Sequence, residues 1–390
     1  MEQILIKNAH ILPIDGKPIE NGWILMKNKK IFSIGPCDAG ELPPCEECID
    51  AAGGWLLPGL IDAHSHIGLY EDSLGFEGAD GNEDTDPATP HLRALDGINP
   101  MDPAFREALE AGVTTVLVSP GSANPIGGQI TAMKTSGVRV DDMVVREPAA
   151  MKFALGENPK GVYHDKDETP VTRMATAAII REQLFQAQEY RTRKEKAAID
   201  HEVDEPDFDM KMEALLPLLR GEIPAHFHAH RNDDIFTALR ICNEFALKPV
   251  IIHGTAGHLI TDYLKAEEVP VVSGPFLTDR SKPELRHLTE RAPGLLVRDG
   301  VLTAITVDHP EFPLRLLMDA VRIAARGGME EEDALRAVTL HAAKIAGIDD
   351  RVGSLTPGKD ADCVLFSGNP FDYKSVVNAV VCNGKLVYRR

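Results

Sequence analysis

No stretch of the chain reaches the roughly 18 consecutive apolar residues that a membrane helix needs. The start, Met1-Glu2-Gln3-Ile4-Leu5-Ile6, lacks a basic region followed by a long apolar run, so no secretory signal is expected either. Cysteine is scarce, with six in 390 residues. That excludes a disulfide framework and makes a reducing cytoplasm the expected setting. Cys45-Glu46-Glu47-Cys48 has C-x-x-C spacing but no second pair follows, so it reads as two incidental surface thiols. Positive charge is also short: 41 Lys and Arg against 60 Asp and Glu leave a formal charge of −19. This argues against nucleic acid or an anionic membrane as partner, because both need a basic face. No G-x-G-x-x-G opens a helix, which weighs against a doubly wound dinucleotide-binding sheet.

What is present is an ordinary globular composition, 43% hydrophobic and 26% charged, in a chain long enough for a large core plus an accessory unit. Both ends read as short strands and turns. Near the start these are Ile4-Leu5-Ile6, Trp23-Ile24-Leu25-Met26 and Lys30-Ile31-Phe32-Ser33-Ile34, with turn signals at Asp15-Gly16 and Asn28-Lys29. Near the end they are Ala361-Asp362-Cys363-Val364-Leu365-Phe366 and Ala379-Val380-Val381-Cys382, the turn Asn383-Gly384, and Lys385-Leu386-Val387-Tyr388. Two half-sheets bury themselves most simply against each other, so 1–56 plus 357–390 are expected to form one small β-sandwich.

Between them, 57–356 alternates short apolar strands with helical segments, the pattern of βα units. Asp102-Pro103 should open a helix as N-cap and first residue, Gly112 should close it, and Val113-Thr114-Thr115-Val116-Leu117-Val118 should follow as a strand. Further strands are expected at 149–155, 223–230, 249–253, 269–273 and 302–307, with helices at 235–245 and 333–348. The fold class is therefore α/β, a TIM-like (β/α)8 barrel carrying the sandwich. Two segments break the rhythm, 67–101 and 156–209, and insertions of this kind are expected to form walls and lids of an active site.

Histidines carry the chemistry. His64 and His66 end an apolar strand in H-x-H spacing, so both rings point to one face. In Ala225-His226-Phe227-His228-Ala229-His230 three imidazoles share a face, an improbable core because each buried ring needs hydrogen-bond partners. His253 ends Val250-Ile251-Ile252. Asp308 ends Ala304-Ile305-Thr306-Val307, where a carboxylate is costly unless paired or metal-bound.

These residues resemble the amidohydrolase superfamily pattern: H-x-H at the first strand, His at the fifth and sixth, and Asp at the eighth. Gly59-Leu60-Ile61-Asp62-Ala63-His64-Ser65-His66 looks like its first-strand motif. Val352-Gly353-Ser354-Leu355-Thr356-Pro357-Gly358-Lys359-Asp360-Ala361-Asp362 looks like its return into the small sandwich. The likeness spans nearly the whole chain and is closest to the imidazolonepropionase-like and prolidase-like branches. It implies one or two divalent metal ions, zinc first, with iron or manganese as alternatives. By the match His64, His66, His228, His253 and Asp308 are metal ligands, and His226 replaces His228 if the strand shifts by two residues. For a bridging ligand the stretch 150–159 offers Lys152 in mid-strand and Glu157 at its end. Barrel sites form at strand ends, which favours Glu157.

The resemblance further implies a metal-dependent hydrolase cleaving an amide or cyclic amide C–N bond with metal-activated water, Asp308 serving as general base. The metal, or one of His228, His230 and His258, would polarise the attacked carbon, and His230 is carried as catalytic. Arg231 is a candidate for a substrate carboxylate. Asn124, in the loop 121–129 after the second strand, is a candidate pocket residue. Deamination of a cyclic amidine and a non-catalytic scaffold role are the rival readings. The expected partner is a small molecule, with neither nucleic acid nor membrane, and homo-oligomer formation is left open.

Overall fold

The computed structural model describes residues 3–71, 74–200 and 202–390. Both chain ends meet in one sheet. Its strands are β1 (Gln3–Ile11), β2 (Ile19–Lys27), β3 (Lys30–Pro36), β4 (Glu47–Asp50), β5 (Trp55–Pro58), and later β14 (Cys363–Phe366), β15 (Val377–Cys382) and β16 (Lys385–Arg389). The order is β16-β15-β14-β5-β1-β2-β3, with β4 beside β1. The turn residues Asn28, Lys29 and Asn383 all adopt positive φ, as the tight connections require. Ile4, Ile6, Ile24, Met26, Cys363, Leu365 and Val381 supply the inner face. β5 straddles the boundary expected at 56/57, because its partner β14 returns from the far end of the chain.

The second sheet is the barrel: β6 (Leu60–Ser65), β7 (Val113–Val118), β8 (Ile126–Lys134), β9 (Val144–Ala154), β10 (Ala225–Ala229), β11 (Pro249–His253), β12 (Val271–Ser273) and β13 (Thr303–Ile305), side by side in chain order. Every strand except β8 is parallel to the strands beside it that share its direction; β8 runs antiparallel to both β7 and β9. This reversal differs from the expected uniform βα repeat. The stretch taken as a loop through Gln129 turns directly back as a strand, so no crossover helix separates β7 from β8. Gly59 allows the chain to enter β6, since a Cβ there would lie 2.0 Å from Thr114 Oγ1.

The expected helix after Asp102 is Pro103–Glu110, with the Asp102 carboxylate accepting from Ala104 N at 3.0 Å. The segment expected at 333–348 is two helices, Glu331–Ala337 and Leu340–Ile345. The segment 156–209 is mostly no lid. Its bulk is the helix Arg173–Ile199, free of Gly and Pro and capped by Thr172. That helix buries Ala177, Ile180, Leu184 and Ala187 in the same apolar cluster as Leu215 and Leu218 of the neighbouring helix Met210–Leu219, outside the barrel.

Barrel and end sheet are joined by buried charge. Lys134, at the end of β8, contacts Asp362 closely and Asp360 at 3.2 Å, and its side chain is only 2% exposed. Lys30 and Arg351 also reach Asp360, at 2.7 and 2.8 Å. Asp362 accepts in addition from the Asn383 backbone at 2.7 Å. Removing one member of such a set strands the others without compensation. Lys134→Met is expected to lower unfolding stability by about 3–5 kcal/mol, measured by denaturant titration. A loss of less than about 1 kcal/mol would mean these carboxylates do not depend on Lys134.

Candidate metal centre

Each functional side chain sits at or just beyond the C-terminal end of a barrel strand, where the backbone turns outward. His64 and His66 stand on β6 and the residue after it. His228 lies on β10 and His230 just past it. His253 ends β11, and Asp308 follows β13. His253 has φ of 70° and Asp308 has φ of 55°, left-handed conformations that aim both side chains inward.

The rings converge. His64 and His66 have centroids 5.0 Å apart, His64 and His253 5.6 Å, His228 and His253 4.6 Å, and His230 and His253 4.6 Å. Asp308 Oδ1 lies 3.3 Å from Nε2 of both His64 and His66. Two overlapping ligand groups result, His64-His253-Asp308 and His228-His230-His253, with the donor atoms of each group within 4.8 Å of one another.

Anchors on the far side of the rings fix which nitrogen faces inward. His66 Nδ1 donates to Ser119 O at 2.7 Å, and His253 Nδ1 donates to Gly274 O at 2.7 Å. A carbonyl only accepts, so in both rings Nε2 is left with its lone pair toward the centre. Ser122 Oγ holds His228 Nδ1 at 3.0 Å, and Thr255 Oγ1 holds His230 Nδ1 at 2.7 Å. Burial, the largest influence, drives His64, His228 and His230 well below the usual imidazole range, and His253 down to about 4. The rings are thus neutral, the form that ligates. His228 Nε2 and Asp308 Oδ1 are buried with no hydrogen-bond partner. Lone pairs facing one another without donors between them fit a divalent cation.

Lys152 reaches this cluster and Glu157 does not. Lys152 Nζ lies 3.4 Å from His64 Nε2, and burial lowers its pKa to about 8. Glu157 opens the helix Glu157–His164 after Gly156 turns the chain at φ 85°, and its backbone N–H donates to Glu284 at 3.0 Å. Among the described residues Glu157 belongs to neither ligand group. The expectation is corrected by side-chain length: Lys152 starts deeper, but its four-carbon stem climbs to the ligand level. His226 pairs with Lys152 in register and sits equally deep, with both ring nitrogens unpartnered, so His228 is the ring that joins the ligand group.

The expected substrate residues are not gathered here. Arg231 forms a bidentate pair with Asp233 at 2.8 and 2.7 Å on the surface. Asn124 is spent on Glu83 O, Thr89 and Tyr163 at 2.7, 3.0 and 2.7 Å, holding the 82–89 loop. His258 is half-buried in the short helix Gly257–Leu259 and does not line the cavity over the cluster. That cavity, of about 410 Å³, is lined instead by Tyr70, Asn82, Ser122, Asn158, Lys282 and Glu311, together with the inward histidines and Asp308. The expectation that 67–101 forms a wall is met by Tyr70 and Asn82, and that for 156–209 only by Asn158.

The amidohydrolase family profile matches residues 55–387. The chain belongs to the amidohydrolase family. An amidohydrolase structure from Thermotoga maritima MSB8 is 47% identical, superimposes with a TM-score of 0.95, and is covered in full by 99% of this chain. Amidohydrolase tasK of Hapsidospora irregularis is 29% identical over 94% of this chain, which spans only 41% of that relative. Imidazolonepropionase of Erwinia tasmaniensis is 25% identical, over 89% of this chain and 86% of the relative. As a member of this family the protein is a hydrolase acting on carbon–nitrogen bonds. No helix among the described residues is long and apolar enough to cross a membrane.

Asp62, Thr306 and Lys282 were not singled out from the sequence. Asp62 lay inside the first-strand motif and could have been found there as a carboxylate between two apolar residues. Lys282 lies in a loop with no periodicity to mark it. Two outcomes are expected of this amidohydrolase. In metal counts on protein purified without chelator, Lys152→Met should lose about one equivalent relative to wild type, while Glu157→Gln keeps its metal. The reverse would return Glu157 to the centre. In the metal-free protein, histidines held neutral oppose folding once the unfolded chain protonates near pH 6.5. The Tm should be flat above about pH 7 and fall as the pH drops from about 6.5 toward 4. A flat Tm across that window would contradict neutral buried rings.

Proposed function

We propose that this amidohydrolase cleaves an amide or cyclic amide bond of a small molecule by adding water to its carbonyl carbon. The observation that carries the reading is Asp308 Oδ1, buried, unpartnered and facing the cavity among neutral imidazoles. We assign the ligand role to His64, His66, His228, His253 and Asp308, with zinc as the first choice of ion; Lys152 would bridge two ions as its carbamate, formed when the neutral amine adds carbon dioxide and releases one proton, because an unmodified amine has only one lone pair. A divalent ion held there supplies Lewis acidity and brings the pKa of a coordinated water toward about 7.

The remaining chemistry belongs to the chain. Asp308 takes the proton of the attacking water at Oδ1 and delivers it to the leaving nitrogen, which cannot depart as an anion. Thr306 fixes that carboxylate: its hydroxyl accepts from Asp308 N at 2.9 Å and donates to His64 O at 2.6 Å. His230 lines the cavity with Nδ1 2.7 Å from the Thr255 hydroxyl; with that hydroxyl donating, Nε2 carries the proton and is suited to donate to the carbonyl oxygen as charge builds on it. Tyr70 packs its ring edge-on to His66 at 5.8 Å and walls off the opposite side. A scaffold role is disfavoured, because a non-catalytic relative has no reason to keep an unpartnered carboxylate in a cavity.

Asp308→Asn should leave the fold intact and lower turnover by about 100-fold or more. Near wild-type turnover would remove Asp308 from the mechanism. Product analysis separates the reaction types: an amine or ring-opened acid supports amide hydrolysis, whereas ammonia from a cyclic amidine makes the protein a deaminase.

A further inference from the structure

Among the described residues lining the cavity, Lys282 is the one lysine or arginine. The cavity also holds Asp308 and Glu311, and the whole chain carries −19, so beyond a metal ion at the ligand cluster an anionic part of a ligand meets one side-chain cation here. Lys282 follows β12 and stands beside Asn158, which follows β9, so two separate connections place it. Its Nζ donates to Asn158 Oδ1 at 2.8 Å. Glu284 Oε1 is 3.8 Å away, beyond hydrogen-bond distance, and Glu284 Oε2 is taken by the Glu157 N–H at 3.0 Å. An ammonium has three donors, and Asn158 engages one of them. The side chain is 34% exposed, so it is neither buried away from the cavity nor extended into solvent.

Lys282 lines the same cavity as His228, His230 and His253, and Glu311 lines it together with Tyr70 and His66. A substrate acid group entering this cavity meets one side-chain cation, Lys282, and is opposed by Glu311.

We propose that Lys282 binds a carboxylate of the substrate, so that the enzyme acts on amides bearing an acid group, of the N-acyl amino acid kind, in preference to their uncharged counterparts. The narrowing of substrate class rests on the hydrolase reading above; the binding contact does not. A cavity of about 410 Å³ suits a ligand of that size.

The test is calorimetric titration of the metal-loaded enzyme with N-acetyl-L-alanine, N-acetyl-L-leucine and N-acetyl-L-glutamine, each against its C-terminal carboxamide. Hydrolysis is followed separately. The best acid should bind about tenfold or more tighter than its carboxamide, the scale of one charged hydrogen bond. Lys282→Met should abolish that preference and Lys282→Arg should largely keep it, with KM rising and kcat little changed for any hydrolysed acid. Acids that bind in a Lys282-dependent manner without being cleaved would uphold the contact while overturning N-acyl amino acids as the substrate class. Equal affinity for acid and carboxamide, an unaltered preference in Lys282→Met, or no binding of any acid at millimolar concentration would overturn the proposal.

Discussion

The site depends on how the barrel closes. Seven of its junctions are backbone ladders, but β13 meets β6 through a mixed set of bonds. The Asp62 carboxylate accepts from His64 N at 3.1 Å and from Val307 N at 3.2 Å, tying the first strand to the last. The Thr306 hydroxyl crosses the same seam to His64 O, and His66 N reaches His309 O at 2.8 Å. All these bonds lie within two residues of a proposed metal ligand. Closure of the fold and alignment of His64, His66 and Asp308 are one event. Burial pushes the Asp62 pKa up to about 7, and three backbone and hydroxyl contacts work against that rise.

Burial then sets the chemistry. A buried imidazole loses the hydration that favours its charged form, so the rings stay neutral and keep a lone pair. The carbonyls of Ser119 and Gly274 choose which nitrogen carries it in His66 and His253, and the hydroxyls of Ser122 and Thr255 fix the ring planes of His228 and His230. The left-handed backbone at His253 and Asp308 is a local cost carried because both side chains must turn into the mouth. Packing of the surrounding strands, all buried, over-determines these conformations.

Much of this was legible beforehand because a strand has a period of two. His64 with His66, and His228 with His230, share faces by that rule, and His253 and Asp308 each end an apolar run. The alternation of strands and helices pointed to a barrel with the end sheet beside it. What escaped was whatever depends on depth or direction. The strand expected at 149–155 put Glu157 at its end and Lys152 in the middle, but β9 runs Val144–Ala154, which leaves Lys152 near its end and Glu157 past the turn at Gly156, in the next helix. Arg231 followed the histidines in sequence, yet Asp233 two residues on captures it at the start of a helix. Asn124 is a fully satisfied brace. β8, with Gly127 and Gly128 at its start, has no clean alternation to mark it as a strand, and its direction is set by its partners, β7 and β9, which no local pattern records.

The Lys134–Asp362 contact joins residues 228 positions apart, and it imposes an order on assembly. While the chain is being synthesised, β8 exists long before the carboxylates that neutralise its terminal lysine. Until Asp360 and Asp362 emerge, an ammonium at that depth is without its counter-ions, and β14 is missing from beside β5. The barrel can collapse early through its apolar strands, but it cannot seat that end of β8 dry. Completion must wait for Asp360, Asp362 and β14, so the barrel stays hydrated and unlocked at that end until those residues have joined it.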